Sequence, residues 1–209
     1  MSFESLTGGL SREQLEAHWM PFTANRQFKD NPRMIVSAEQ SHYITADGRR
    51  IYDGLSGLWC CGFGHNRPEI TEAVYKQMQS MDYSPAFQFG HPKAFELADR
   101  VAKMAPEGLD YVFFTNSGSE SADTSLKMAR AYWRQQGQPS KTKLIGRSKG
   151  YHGVNYGGIS VGGIAGNRKL YGDGVDAAHL THTLLPQNAF TKGLPEHGAE
   201  LADDLLEQI

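Results

Sequence analysis

An α/β fold around a mostly parallel sheet is the architecture this sequence predicts, and three observations predict it. Amphipathic helical runs alternate with short apolar segments of strand length, a key segment is too continuously apolar for a half-exposed strand, and glycine-rich turns separate them. The 209 residues suffice for one large domain or a domain plus an accessory segment. With 39% hydrophobic and 21% charged residues and a formal charge of −2, the composition is that of an ordinary globular protein. This balance gives no reason to expect a nucleic-acid or anionic-membrane partner. No apolar run approaches the roughly 20 residues of a membrane-spanning helix. Residues 1–19 lack a basic start followed by an apolar stretch, so no signal peptide is expected and the cytoplasm is the expected compartment.

Taken in order, Ser11 with Gln14 three residues on forms a capping-box pattern that predicts a helix over 11–19. Residues 20–33, rich in turn formers and aromatics, read as an irregular arm. Segments 42–45 and 49–52 flank Ala46-Asp47-Gly48, and Asp-Gly is a strong hairpin signal. In 54–68, GLSGLWCCGFGHNRP, glycines alternate with bulky groups, which predicts backbone packed closely against something else. Cys60 and Cys61 are adjacent, an arrangement that disulfide geometry disfavours, and two cysteines alone do not complete a zinc site. Buried packing thiols and no metal site are expected.

Pro68 suits the first turn of a helix carrying Ile70, Val74, Gln77, Met78 and Met81 at helical spacing. A second helix starts near Pro92, with Phe95, Ala98, Val101, Ala102 and Ala105 on one face, and Pro106 and Gly108 end it. The apolar run 111–114 reads as a strand buried on both faces. Residues 119–136 form an amphipathic helix through Ala122, Leu126, Ala129 and Trp133. Further strands are expected at 143–147 and 183–185, around the glycine-rich stretch 150–166, and a helix from 198 that reaches residue 209.

The stretch 111–130 carries the most chemistry. A strand running into Asn116-Ser117-Gly118-Ser119 and directly into a helix brings unpaired N–H groups and a positive dipole end together, a geometry suited to a phosphate. Gly118 allows close backbone approach, and the Ser117 and Ser119 hydroxyls can donate. The same pattern is equally that of an ordinary serine N-cap with a turn glycine, and Glu120 that of an acid favoured in a first turn. Neither a Walker loop nor a dinucleotide fingerprint is present in this turn. Elsewhere Gly158-Ile159-Ser160-Val161-Gly162 matches the nucleophile-elbow pattern of serine hydrolases, with His179, His182 and His197 downstream. That motif requires a strand before it and a helix after it, and frequent glycines here produce the spacing by chance.

The run SGSESADTSLKMAR, residues 117–130, resembles the Ser-Gly-x-Glu-Ala helix start of class III aminotransferases, which bind pyridoxal phosphate on fold type I. Ser121 stands where that family more often has alanine. HYITADGRRIYDGLSGLW, GHNRPEI, DYSPAFQFGHP and IGRSKGYHG extend the resemblance over nearly the whole chain. MPFTANRQF together with SGLWCCGFGH is most similar to the ω-amino acid:pyruvate (β-alanine:pyruvate) branch.

The resemblance implies that Ser117, Gly118 and Ser119 hold the phosphate of pyridoxal 5'-phosphate and that Tyr151 stacks on its ring, with His152 beside it. On the residues alone, Tyr151 is as well a core tyrosine and His152 a structural histidine. The resemblance also implies that Trp59, Phe22 and Phe87 line the substrate pocket, one of them available from across a dimer interface. The implied reaction moves an amino group from an ω-amino acid or amine, such as β-alanine, to pyruvate, in a homodimer or homotetramer. Residues 1–55 then form an arm and hairpin of a small domain, and 56–209 the first part of a large cofactor-binding domain.

The family also needs a Schiff-base lysine, an aspartate for the pyridine nitrogen and an arginine for the substrate carboxylate. No residue of this chain matches them; Lys127 and Lys149 are the local lysines, and neither stands in the family's context. A truncated part of a longer enzyme, inactive alone, is therefore expected. The alternatives are a fragment that binds phosphate or a partner without catalysis, or a hydrolase using Ser160.

Overall fold

The computed structural model describes residues 3–172 and 174–208. The chain divides into two compact units, one extending to Phe95 and the other starting at Glu96.

The first unit opens with three short helices, α1 (Phe3–Thr7), α2 (Arg12–Glu16) and α3 (Asn25–Asp30). The capping box is present: Ser11 N donates to Gln14 Oε1 at 2.8 Å and Gln14 N donates to Ser11 Oγ at 3.3 Å. The helix is shorter than its sequence pattern suggests and ends at Ala17. Nor is the arm irregular throughout. The Asn25 side chain accepts from Met20 N and donates to Met20 O and Thr23 O, closing a turn that launches α3. Leu15 and Phe28 are buried, and the buried Lys29 donates from Nζ to Glu16 O at 2.9 Å.

Next comes an antiparallel sheet of β1 (Ile35–Glu39), β2 (His42–Thr45) and β3 (Arg50–Tyr52), in that order. The expected hairpin forms around Asp47-Gly48, with Gly48 N donating to Thr45 O at 2.9 Å. β1 is an addition: its Ile-Val-Ser-Ala-Glu run lacks clean alternation because its register shifts between Ile35 and Ser37. After β3 comes a single tight turn, Ser56–Trp59 (α4), followed by α5 (Pro68–Ser80) with Pro68 in its first turn. The division between the units falls within α6 (Pro92–Met104). The expectation of buried thiols is corrected: Cys60 closes α4 at the surface and is exposed, and Cys61 is half-buried.

The second unit contains α7 (Gly118–Gln135), β4 (Leu144–Arg147), α8 (Tyr156–Val161), α9 (Ala165–Arg168) and β5 (Ala177–Leu180). β4 and β5 pair in parallel from Leu144↔Ala177 to Arg147↔Leu180, with α8 and α9 in the crossover between them. α8 lies against α7 through glycine backbone: Gly158 N donates to Asp123 Oδ1 at 2.7 Å, and a Cβ on Gly158 would stand 2.1 Å from His152 O.

Three expected elements differ here. Residues 111–114 form no ladder among the described residues, and Tyr111 is 97% exposed. An apolar run becomes a strand only where neighbours complete its hydrogen bonds, and none of the described segments pairs with it. The strand expected at 183–185 lies earlier, at Ala177–Leu180, because that stretch aligns with β4. Leu185 instead caps a 3₁₀ turn, Pro186–Asn188, that begins on proline. The last expected helix is a 3₁₀ helix, Ala199–Leu205, and Ile209 lies outside the described residues.

The buried apolar core among the described residues is Leu15, Phe28 and Val161. α5, α6 and α7 bury no side chain fully, although each has an apolar face. No described helix is long and apolar enough to cross a membrane.

Candidate functional site

The start of α7 is built by its own side chains. Ser117 is extended, with φ −152° and ψ 159°, and its Oγ accepts from Glu120 N at 3.1 Å. Glu120 reaches back so that its Oε2 accepts from Asn116 N at 2.8 Å. The Thr115 hydroxyl donates to Ser117 O at 3.0 Å. These bonds use the third helical N–H and the one before the cap. The N–H groups of Gly118 and Ser119 have no protein acceptor among the described residues. A Cβ built on Gly118 would meet nothing within 4 Å, so there is open space beside this residue. Two free amide donors at the positive end of an 18-residue helix have a geometry suited to an anion.

Ser119 ties this turn to a second loop. Its Oγ accepts from Val154 N at 3.0 Å, which sets residues 151–154 beside the start of α7. Gly153 makes that approach possible: its φ is +95°, and a Cβ there would stand 2.5 Å from Ser119 Oγ and 2.6 Å from Ser119 Cα. The loop is anchored behind by Gly150 N donating to Arg147 O at 2.9 Å and Gly163 N donating to Gly150 O at 2.8 Å. Tyr151 is 57% exposed, leaving a ring face open, and His152 is exposed beside it. The Ser119–Val154 bond thus sets the loop that carries Tyr151 and His152 beside the turn of Ser117, Gly118 and Ser119.

The nucleophile-elbow reading is overturned. Gly158, Ile159, Ser160 and Val161 lie inside α8, which follows a loop rather than a strand. Ser160 is buried, and its Oγ donates to Tyr156 O at 2.5 Å while accepting from Val175 N at 3.0 Å. A hydroxyl spent on two backbone groups is a structural tie, without the exposure an elbow gives its nucleophile. His179 does not face it as a base; its Nε2 lies 2.9 Å from Gly162 O and 2.7 Å from Arg168 Nη1.

Residues 23–207 match the family described as Aminotransferase class-III. The chain belongs to the class III aminotransferases. A β-alanine–pyruvate aminotransferase of Pseudomonas aeruginosa is 59% identical over 200 residues, which are 95% of this chain and 45% of that protein. This chain therefore spans less than half the length of that curated relative. Among solved structures, an (S)-enantioselective ω-transaminase from Thermomicrobium roseum superposes with a TM-score of 0.83 at 34% identity, over 94% of this chain and 44% of that one. An ω-transaminase variant with glycine in place of a tryptophan, engineered for asymmetric synthesis of enantiopure bulky amines, gives a TM-score of 0.83 at 26% identity, over 94% of this chain and 45% of that one. The fold is thus that of about half of a fold type I transaminase.

The aminotransferase's three expected pocket aromatics all lie in the first unit. Phe22, Trp59 and Phe87 are exposed, and no ring pairing joins them among the described residues. Trp59 sits on α4, whose backbone is held by a carboxylate that sequence reasoning missed. Asp53 Oδ2 accepts from Gly57 N at 2.7 Å and lies 2.7 Å from His65 Nε2, and Oδ1 accepts from Leu55 N at 3.1 Å. Burial pushes the Asp53 carboxyl up, but the bonds from His65, Leu55 and Gly57 outweigh it and hold the group below its ordinary value. Lys127 is nine positions past Gly118, about 13.5 Å along α7 at 1.5 Å per residue. It borders a small cavity with Asp123, Leu126 and Arg130, away from the helix start.

Proposed function

We propose that the complete protein carrying this chain transfers the amino group of an ω-amino acid or amine, such as β-alanine, to pyruvate with pyridoxal phosphate as cofactor. The observation that carries the reading is the open pair of N–H donors at Gly118 and Ser119, tied by Ser119 to the loop bearing Tyr151. A phosphate dianion fits two unpaired amides at a helix start, and the Ser117 and Ser119 O–H groups supply further donors. A planar pyridine ring fits against the exposed face of Tyr151. Bound there, the cofactor supplies the electron sink that eases removal of the proton from the amino-bearing carbon. The residues of this chain bind the phosphate, orient the ring and bound the substrate.

Proton transfer is assigned elsewhere. Lys127 is too far along its helix, and Lys149, with φ +68°, has no observation linking it to the start of α7. We therefore assign residues 1–209 a cofactor-holding role without turnover by themselves. Trp59, Phe22 and Phe87 are assigned to the amine pocket; the Trp-to-Gly relative engineered for bulky amines supports a size-limiting tryptophan in such enzymes. A cytoplasmic homodimer or homotetramer completes the reading.

The test is alanine formation from pyruvate by the complete polypeptide with β-alanine as donor, alongside titration of residues 1–209 with pyridoxal phosphate. Turnover in the first and saturable binding without turnover in the second are expected. Transamination by residues 1–209 alone, or no alanine from the complete polypeptide with any ω-amino donor, overturns the proposal.

A further inference from the structure

Residues 56–59 hold an unusual backbone. Ser56, Gly57, Leu58 and Trp59 all have positive φ, at 50°, 60°, 53° and 76°. Three of the four carry side chains, and a left-handed conformation brings the Cβ of an L-residue too close to the following carbonyl oxygen. Such a turn persists only where its surroundings over-determine it. Here Trp59 N donates to Leu55 O at 2.9 Å and Cys61 N donates to Ser56 O at 2.8 Å, but these bonds lie within the turn. The external hold is Asp53, whose carboxylate takes the N–H groups of both Leu55 and Gly57.

Asp53 is in turn fixed from two sides. Its own N–H donates to Ser41 O at 2.8 Å, at the end of the sheet. Its Oδ2 meets His65 Nε2, and the Tyr43 hydroxyl stands beside the turn, 3.5 Å from where a Cβ on Gly57 would lie. The His65 backbone is locked to Gln40 by two bonds, of 3.1 and 2.7 Å, and its ring stacks at a tilt on Tyr43 with centroids 4.6 Å apart. The side chains of Asp53 and His65 are 6% and 11% exposed, while Trp59 is 87% exposed. A rigid polar centre thus stands behind an exposed aromatic.

We propose that Asp53, oriented by His65 and Tyr43, is a positioning residue that fixes the left-handed turn presenting Trp59 and so sets which amines the enzyme accepts. The proposal rests on the assignment of Trp59 to the amine pocket. Both oxygens of Asp53 are acceptors, and neither can be replaced by an NH₂ without facing a donor. Asp53→Asn is therefore nearly isosteric yet loses the N–H bond of Leu55 or that of Gly57, whichever way the amide is turned.

The experiment uses the complete polypeptide with Trp19→Phe, Trp133→Phe and any tryptophan outside residues 1–209 likewise replaced by Phe, so that Trp59 is the sole tryptophan. Kinetics are measured for a small and a bulky amine in Asp53→Asn, His65→Gln, Trp59→Leu and the Asp53→Asn/Trp59→Leu double variant. We expect Asp53→Asn to raise the small-amine KM about tenfold, with a smaller change in kcat. It should shift the bulky-to-small ratio of kcat/KM in the same direction as Trp59→Leu. His65→Gln should follow with a smaller shift, and the double variant should move the ratio no further than Trp59→Leu alone. Trp59 should also become more mobile in Asp53→Asn, read as lower fluorescence anisotropy, while far-UV circular dichroism is retained.

An unchanged ratio and anisotropy in a folded Asp53→Asn, or full additivity in the double variant, overturns the positioning role. Should Asp53→Asn fail to fold, His65→Gln carries the same readouts. An unchanged ratio in Trp59→Leu overturns the pocket assignment and the specificity role built on it. An anisotropy change in Asp53→Asn then locates the failure in the pocket reading rather than in the hold on the turn.

Discussion

Each unit of the molecule contains a turn where backbone N–H groups converge, and the two turns treat those donors in opposite ways. At the start of α7, the N–H groups of Gly118 and Ser119 are left open, with open space beside Gly118. Behind α4, the N–H groups of Leu55 and Gly57 are closed by the Asp53 carboxylate. An internal anion makes a rigid pedestal, and an open pair of donors makes a seat for an anion from outside. The second unit thus leaves its converging donors open, and the first closes its own with a carboxylate.

The largest effect is expected where the seat would be filled from within. Gly118→Asp places a carboxylate before the open donors and should weaken pyridoxal-phosphate binding by at least about 100-fold, roughly 2.7 kcal/mol, in a fluorescence titration. Gly118→Ala meets no atom and should alter stability by no more than about 0.5 kcal/mol. Binding by Gly118→Asp within threefold of the parent would erase the contrast between the two turns.

Gly153→Ala attacks the tie between the seat and the Tyr151 loop. With φ at +95° and Ser119 Oγ 2.5 Å from the new Cβ, the cost should be about 2–3 kcal/mol in urea unfolding. A neutral result would mean that the loop stands off α7. Ser160→Ala, which removes a buried hydroxyl joining Tyr156 O to Val175 N, should cost about 1–2 kcal/mol and leave ester hydrolysis at background. Loss of a measurable esterase in this variant would revive the nucleophile.

The subtlest test is pH. The folded-state Asp53 carboxyl lies below its ordinary value of 3.8, so its contribution is fully present above that value and lost as pH falls through the folded pKa. The stability gap between the parent and Asp53→Asn should hold steady above about pH 5 and narrow once pH drops below 3.8. A gap that persists unchanged to pH 3 would show that the pedestal does not depend on the charge of Asp53.

The contrast also explains what could be read from sequence. The α7 start is local: cap, glycine, acid and amphipathic run lie within a few residues, so Ser117, Gly118, Ser119 and Glu120 declare themselves. The capping box at Ser11 and the Asp47-Gly48 hairpin are legible for the same reason. Asp53 and His65 are twelve residues apart and meet only because the Gln40–His65 bridge folds one back on the other. No local pattern announces such a pair; the glycine-rich stretch signals a close backbone approach without naming its partner. The apolar run at 111–114 misleads for a complementary reason, since hydrophobicity records an affinity for neighbours and not their presence. The strand at Ala177–Leu180 is not legible locally because Ala-Ala-His-Leu is weakly β-forming, and its pairing comes from alignment with β4.

Helices α5, α6 and α7 form amphipathic cylinders that leave Val74, Phe95 and Met128 at least half exposed. In residues 1–209 their amides should exchange with deuterium within the fast regime of local opening, while those of the hairpin around Asp47 persist longer. The same faces should bind a hydrophobic dye and, during synthesis, recruit a chaperone. The small polar-locked hairpin is thus expected to be the slow-exchanging part of residues 1–209, and the three long helices the fast-exchanging part.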